Sequence, residues 1–113
     1  MYRRLGLKRG DIVIVAPPGE FGKPRPALIV QGDLALPSAT ITYLLITSAL
    51  EREPSIRIPI EPTSQNGLLK SSEIMVDIVQ TSTRSRFREV VGHIDAATLR
   101  VVDNALLVFL GLI

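Results

Sequence analysis

Arg25 opens the apolar run Pro26-Ala27-Leu28-Ile29-Val30, and Thr47-Ser48 close a second run that begins at Thr40. A guanidinium presents five donors in a planar fork and a hydroxyl adds one more, so the two together suit the oxygens of a phosphate. If the two runs pair as strands, Arg25 and Thr47 fall on one rim of a sheet. Glu20 and Asp77 are the carboxylates that could take a proton beside that phosphate, provided the fold brings one within hydrogen-bond reach. Asp77 stands inside an apolar run, where a carboxylate needs a partner, and an arginine would serve. His93 is a general acid by type, but its place between Gly92 and Ile94 reads as a strand end.

The remaining composition narrows the chemistry. There is no cysteine and only one histidine, so disulfides and thiolate metal sites are excluded and a zinc site is disfavoured. Glu20, Asp33 and Asp77 lie far apart in sequence and do not make the spaced acidic cluster of a two-metal nuclease. Gly19 and Gly22 lead into Arg25-Pro26 and a strand, not into Lys-Thr and a helix, so they form no phosphate loop. No metal or other cofactor is expected. RNA offers a route that needs none: its own 2′-hydroxyl can attack the adjacent phosphorus, leaving a cyclic phosphate and a free 5′-hydroxyl. Such a reaction asks the protein for a base, an acid and a stabiliser of the phosphorane charge; Arg25 and Thr47 could supply the stabiliser, and Arg25 could also pass a proton. The net charge of +2 hides ten arginines against three lysines, a balance that favours bidentate phosphate contacts. The few aromatic residues are scattered, so a sheet-wide stacking platform for bases is not expected.

The chain that positions these groups has 113 residues, enough for one domain with its own core, and 1–113 is expected to form a single domain. Arg9-Gly10-Asp11 marks a turn before a first strand, Ile12 to Val15, whose continuous β-branched run implies burial on both faces. Residues 16–24 hold three prolines and two glycines and form a loop. Strands are expected at Arg25 to Gln31, Thr40 to Ile46, Ser55 to Ile60 and Glu73 to Val79. The fourth shows period-2 alternation with its isoleucines facing the core, as an edge strand does. Gln80 to Arg88 reads as a polar connection, and Val90 to Ile94 as a last strand that could pair with the one before it. Asp95 can cap a helix from Ala96 to about Leu110, with Leu99, Val102, Leu106 and Phe109 on its apolar stripe and Gly111 closing it. Strands followed by one helix, without βαβ alternation, predict a mainly β, barrel-like sheet with a C-terminal helix packed on it. The basic start lacks an apolar signal core and the apolar tail is too short to cross a bilayer, so the expectation is a cytoplasmic protein with no membrane segment.

In order along the chain, Arg9-Gly10-Asp11-Ile12-Val13, Gly22-Lys23-Pro24-Arg25-Pro26-Ala27-Leu28-Ile29-Val30 and Leu45-Ile46-Thr47-Ser48 resemble the toxin endoribonucleases of the MazF/PemK type. Asn66-Gly67-Leu68, Ser72 to Asp77, Val91 to Ile94 and the C-terminal helix extend the resemblance over nearly the whole chain. It implies an SH3-like β-barrel with a C-terminal helix and a homodimer. It further implies metal-independent, sequence-selective cleavage of single-stranded RNA such as mRNA, and neutralisation by a cognate, MazE-like antitoxin. It carries the catalytic roles to Arg25 and Thr47, with Glu20 and Asp77 at positions that are acidic in some members. Phe21, Lys23, Ser48, Gln80, Arg84 and Arg86 are the candidates for the other RNA contacts. The chain departs from the pattern of some members at Gly19, Met75, Ile78 and Gln80. Two other readings stand beside this one: a toxin resembling CcdB that binds gyrase through Leu110-Gly111-Leu112-Ile113 and cuts nothing, and an inactive scaffold that holds RNA or antitoxin.

Overall fold

The computed structural model describes residues 6–19, 22–51 and 56–113. Six strands form one antiparallel sheet: Asp11–Val15 (β1), Arg25–Ile29 (β2), Thr40–Thr47 (β3), Ile58–Ile60 (β4), Ser72–Thr83 (β5) and Phe87–His93 (β6). Their spatial order is β4-β5-β3-β2-β1-β6, and the helix Ala96–Phe109 (α1) follows. This mainly β architecture with a C-terminal helix agrees with the sequence expectation.

Successive side chains along a strand point to opposite faces, and here both faces are buried. Ile12, Leu28, Leu44, Ile46, Ile74 and Val76 face one core, which α1 covers with buried Val102 and partly buried Leu99, Ala105 and Leu106. Val13, Ala27, Ile29, Tyr43, Leu45 and Met75 face the other, closed by Leu36 and Phe87. The Tyr43 and Phe87 rings meet edge to face, 5.4 Å between centroids. Each fully buried Ile or Leu contributes about 1.5–3 kcal/mol, which offsets the entropy of ordering the chain. Two-sided burial is why the strands read as continuous apolar runs.

The helix begins as its sequence dictates. The Asp95 carboxylate accepts from the Thr98 amide at 3.0 Å and from the Thr98 hydroxyl at 2.7 Å. These bonds hold Asp95 below the usual carboxylate range, the Thr98 hydroxyl contributing most. Gly111, at φ +73°, turns the chain out of the helix. On the stripe, Phe109 departs from expectation and is 43% exposed, while Asp103 on the flank pairs with Arg9 at 2.6 Å.

Several strand expectations change. Strand β5 runs on to Thr83, past the expected end at Val79, and β6 begins at Phe87, so little of the polar stretch is a connection. The final strand does not pair with β5; it crosses to the far edge and pairs with β1. Only Ile58–Ile60 of the fourth expected strand forms ladder, at the other edge, and residues 52–55 lie outside the described residues. Its isoleucines do pack toward the core, as the alternation implies.

Candidate active site

Antiparallel pairing of β2 with β3, in the register Ala27 opposite Leu45, brings the first residue of one strand beside the last of the other. Arg25 and Thr47 therefore share a rim, and both line a cavity of about 570 Å³. Lys23 and Ser48 line it too, so four of the sequence candidates come together. Arg25 is half-buried at the entrance of β2, opposite Val15. The Thr47 oxygen accepts from the Ala49 amide at 3.0 Å. That bond occupies a lone pair and leaves the hydroxyl proton to donate into the cavity. Opposite Thr47, buried Glu73 accepts from the Glu51 amide at 3.2 Å and so anchors the chain that leaves β3.

The opposite wall was not anticipated. It consists of Gly67, Leu68, Leu69, Lys70 and Ser72 from the segment before β5, with Glu89 and Val91 from β6. Asn66 folds that segment: its Oδ1 accepts from the Thr63 amide at 3.0 Å and the Leu68 amide at 2.9 Å, and its Nδ2 donates to the Glu61 carbonyl at 2.9 Å. Two glycines then lock it to β6. A Cβ on Gly67, whose φ is +73°, would stand 2.3 Å from the Val91 carbonyl oxygen, and one on Gly92 would stand 2.3 Å from that of Gln65. The His93 amide donates to the same Gln65 carbonyl at 3.0 Å, and the His93 ring bonds the Gln65 side chain at 2.9 Å, which makes His93 a strand-end residue outside the cavity. The Asn66-Gly67 turn signal was visible in sequence, but the contact with β6 that makes it a cavity wall was not.

The other candidates lie elsewhere. Asp77 is exposed on β5, does not line the cavity, and receives Arg57 Nε at 3.3 Å; Arg57 also reaches Glu51 at 3.4 Å. The partner expected for Asp77 is present, but the carboxylate is at the surface. Gln80 accepts from the Tyr43 hydroxyl at 3.4 Å, beside the shorter 2.6 Å bond between Tyr43 and Ser82. Arg84 donates to the carbonyls of Ser38 and Leu36 and borders a second cavity of about 530 Å³ with Leu7 and Asp33. Arg86 reaches the Ala16 carbonyl at 3.4 Å. Glu20 and Phe21 lie outside the described residues. Among the described residues, no group of three or more His, Asp or Glu side chains could hold a metal ion, and no helix is long and apolar enough to cross a membrane.

The cavity thus combines a cationic, hydroxyl-bearing rim with an apolar floor and one carboxylate. Among the described residues, Lys23, Lys70 and Glu89 enter no ion pair, which leaves their charges available to a ligand. Among the described residues that line the cavity, three cations stand against one carboxylate, an excess of positive charge suited to a phosphodiester.

The chain is 41% identical over 107 residues to the "Probable endoribonuclease MazF" of Mycolicibacterium smegmatis, an alignment covering 94% of this chain and 98% of that one. A mycobacterial endoribonuclease solved in complex with its cognate antitoxin superposes with a TM-score of 0.77 over 96% of this chain and 98% of that one, at 20% identity. MazF from Deinococcus radiodurans superposes with the same score, 0.77, over 93% and 96% of the two chains at 22% identity. At those identities the superpositions establish the fold. Residues 8–110 match the PemK-like, MazF-like toxins of type II toxin–antitoxin systems, and the chain belongs to that family.

Proposed function

We propose that this protein is the toxin of a type II toxin–antitoxin pair and acts as an endoribonuclease, cutting single-stranded RNA at selected sequences without a metal. The observation that carries the reading is the meeting of Arg25 and Thr47 on one cavity rim, in a chain 41% identical to a probable endoribonuclease. The 2′-oxygen attacks the adjacent phosphorus as its proton passes to a base, the bond from phosphorus to the 5′-oxygen breaks, and that oxygen takes a proton from solvent as it leaves. Negative charge grows on the non-bridging oxygens during this displacement. Arg25 and the Thr47 hydroxyl meet that charge, and Lys23 holds a flanking phosphate.

Asp77 is engaged by Arg57 away from the cavity, and of the two acids that the family resemblance offers as proton acceptor we assign the role to Glu20, five residues before Arg25 in the sequence. In this reading residues 1–113 act as one toxin domain, a homodimer in the cytoplasm. A cognate, MazE-like antitoxin neutralises it, as the antitoxin complex of a mycobacterial relative illustrates for that protein. The exposed ending Leu110, Leu112 and Ile113 supplies apolar surface for the dimer or another protein partner.

Purified protein incubated with a long unstructured RNA tests the proposal. Discrete fragments are expected from the wild type, and Arg25→Ala should slow their appearance by about 10²–10³-fold, the usual weight of one transition-state donor. RNA that stays intact with antitoxin-free wild type would remove the endoribonuclease reading.

A further inference from the structure

The carboxylate in the cavity has no place in phosphate binding, yet the fold puts it there. Glu89 pairs with Ile14 across the β6–β1 ladder, and Ile14 pairs with Pro26 across the β1–β2 ladder. Residues directly opposite one another in antiparallel strands point to the same face, and all three line the cavity. Register shifts flank this pair, between Ile12 and Val13 and between Ile14 and Val15, and they put Glu89, not a neighbour, opposite Ile14. With strands about 4.8 Å apart, the Glu89 backbone stands about 10 Å from the Arg25-Pro26 pair and about 14 Å from Thr47 on β3. From β6 the carboxylate thus faces the rim across the cavity, about the reach of a base attached to a phosphate held there.

Between Glu89 and the rim lie Ile14 and Pro26, an apolar floor that Leu68 and Val91 of the far wall flank. A flat, largely apolar body with polar N–H groups on its far edge fits that combination. Among the described residues Glu89 is the only acid lining the cavity and enters no ion pair, so its oxygens are acceptors in need of donors.

Building on the endoribonuclease reading, we propose that Glu89 is a specificity-determining residue. It accepts a hydrogen bond from the amino group of a nucleobase adjacent to the scissile phosphate. Adenine, cytosine and guanine each carry such a group. Uracil presents carbonyl oxygens in its place, and these are repelled by the carboxylate, so uracil is rejected at that one position.

The test uses binding, so that it does not depend on cleavage. Short, uniformly 2′-O-methylated oligonucleotides, which cannot be cut, are varied through all four bases at each position in turn and titrated by fluorescence anisotropy. The wild type should bind uracil about tenfold more weakly at one position, the weight of a hydrogen bond to a charged group. Replacing the preferred base by its analogue without the amino group should cost the same factor. Glu89→Ala should bind all of these alike at that position while keeping its preferences elsewhere. Equal acceptance of uracil at every position by the wild type, or discrimination that survives in Glu89→Ala, would overturn the proposal. On cleavable RNA, Glu89→Ala should raise KM for the preferred site and spare kcat. A collapse of kcat with altered pH dependence would instead make Glu89 the proton acceptor and also overturn it. Failure to cut RNA, with base discrimination intact, would count against the endoribonuclease reading alone.

Discussion

Gly92→Ala asks whether the cavity wall is held by contact between two backbones. The added Cβ would lie 2.3 Å from the Gln65 carbonyl oxygen and 2.6 Å from that of Asn66, and neither is the movable end of a side chain. Restoring ordinary contact near 3.4 Å requires segment and strand to part by about 1 Å, and overpacking of this kind costs about 1–3 kcal/mol. For a chain of 113 residues, 2 kcal/mol corresponds to a fall in Tm of about 8 °C. The same shift displaces Leu68 and Lys70 relative to Arg25 and Thr47, and a misplacement of about 1 Å can cost about 10²-fold in rate. The assay pairs urea denaturation with RNA cleavage well below the Tm, and Gly32→Ala serves as the control. A Cβ there meets nothing within 4 Å, and stability should change by less than about 1 kcal/mol. A Gly92→Ala protein as stable and as active as this control would refute the view that the interlocked backbones hold the wall.

Three further outcomes are expected. Tyr43→Phe removes the 2.6 Å bond to Ser82 and leaves that buried hydroxyl without its partner, so stability measured by denaturant should fall by about 1–3 kcal/mol. Asp95→Ala should lower Tm at neutral pH. Because the cap holds the Asp95 carboxyl below its unfolded value, its stabilisation is fully present above about pH 3.9 and is lost as pH falls through the lower folded value. Melting curves of the two proteins should therefore converge toward strongly acid pH, and a gap that widened there would contradict the cap. Asp77→Asn should change stability by less than about 1 kcal/mol, the range for an exposed ion pair, and cleavage by less than about tenfold. A loss as large as that of Arg25→Ala would return the proton-acceptor role to Asp77.

The rim of the site was legible because its geometry is local. An arginine at a strand start and a threonine at the end of the neighbouring strand meet whenever the two runs pair antiparallel, and apolar periodicity already marks both runs. The far wall was not legible, because Lys70 and Glu89 reach the cavity through pairings distant in sequence. Strand β6 bypasses β5 and joins β1, and the register shifts that aim Glu89 leave no mark in composition. Sequence adjacency favours a hairpin between successive strands, and here the buried two-faced β1 had a free edge to be covered instead. Asp77 was overread for a related reason. Its apolar neighbours implied burial, but β5 alternates between exposed and covered positions beyond Val76, and the carboxylate emerges at an exposed one beside Arg57.

Arg25 and Thr47 are proposed to serve a displacement driven by the RNA's own 2′-hydroxyl. The most direct measurement places one 2′-deoxy nucleotide immediately 5′ to a mapped cut site and compares cleavage with the all-ribose RNA in excess EDTA. The all-ribose RNA should be cut, giving a 2′,3′-cyclic phosphate and a 5′-hydroxyl, while the single deoxy substitution should abolish cutting at that bond. Cutting that persists through the deoxy site, or 5′-phosphate ends that vanish with EDTA, would contradict it.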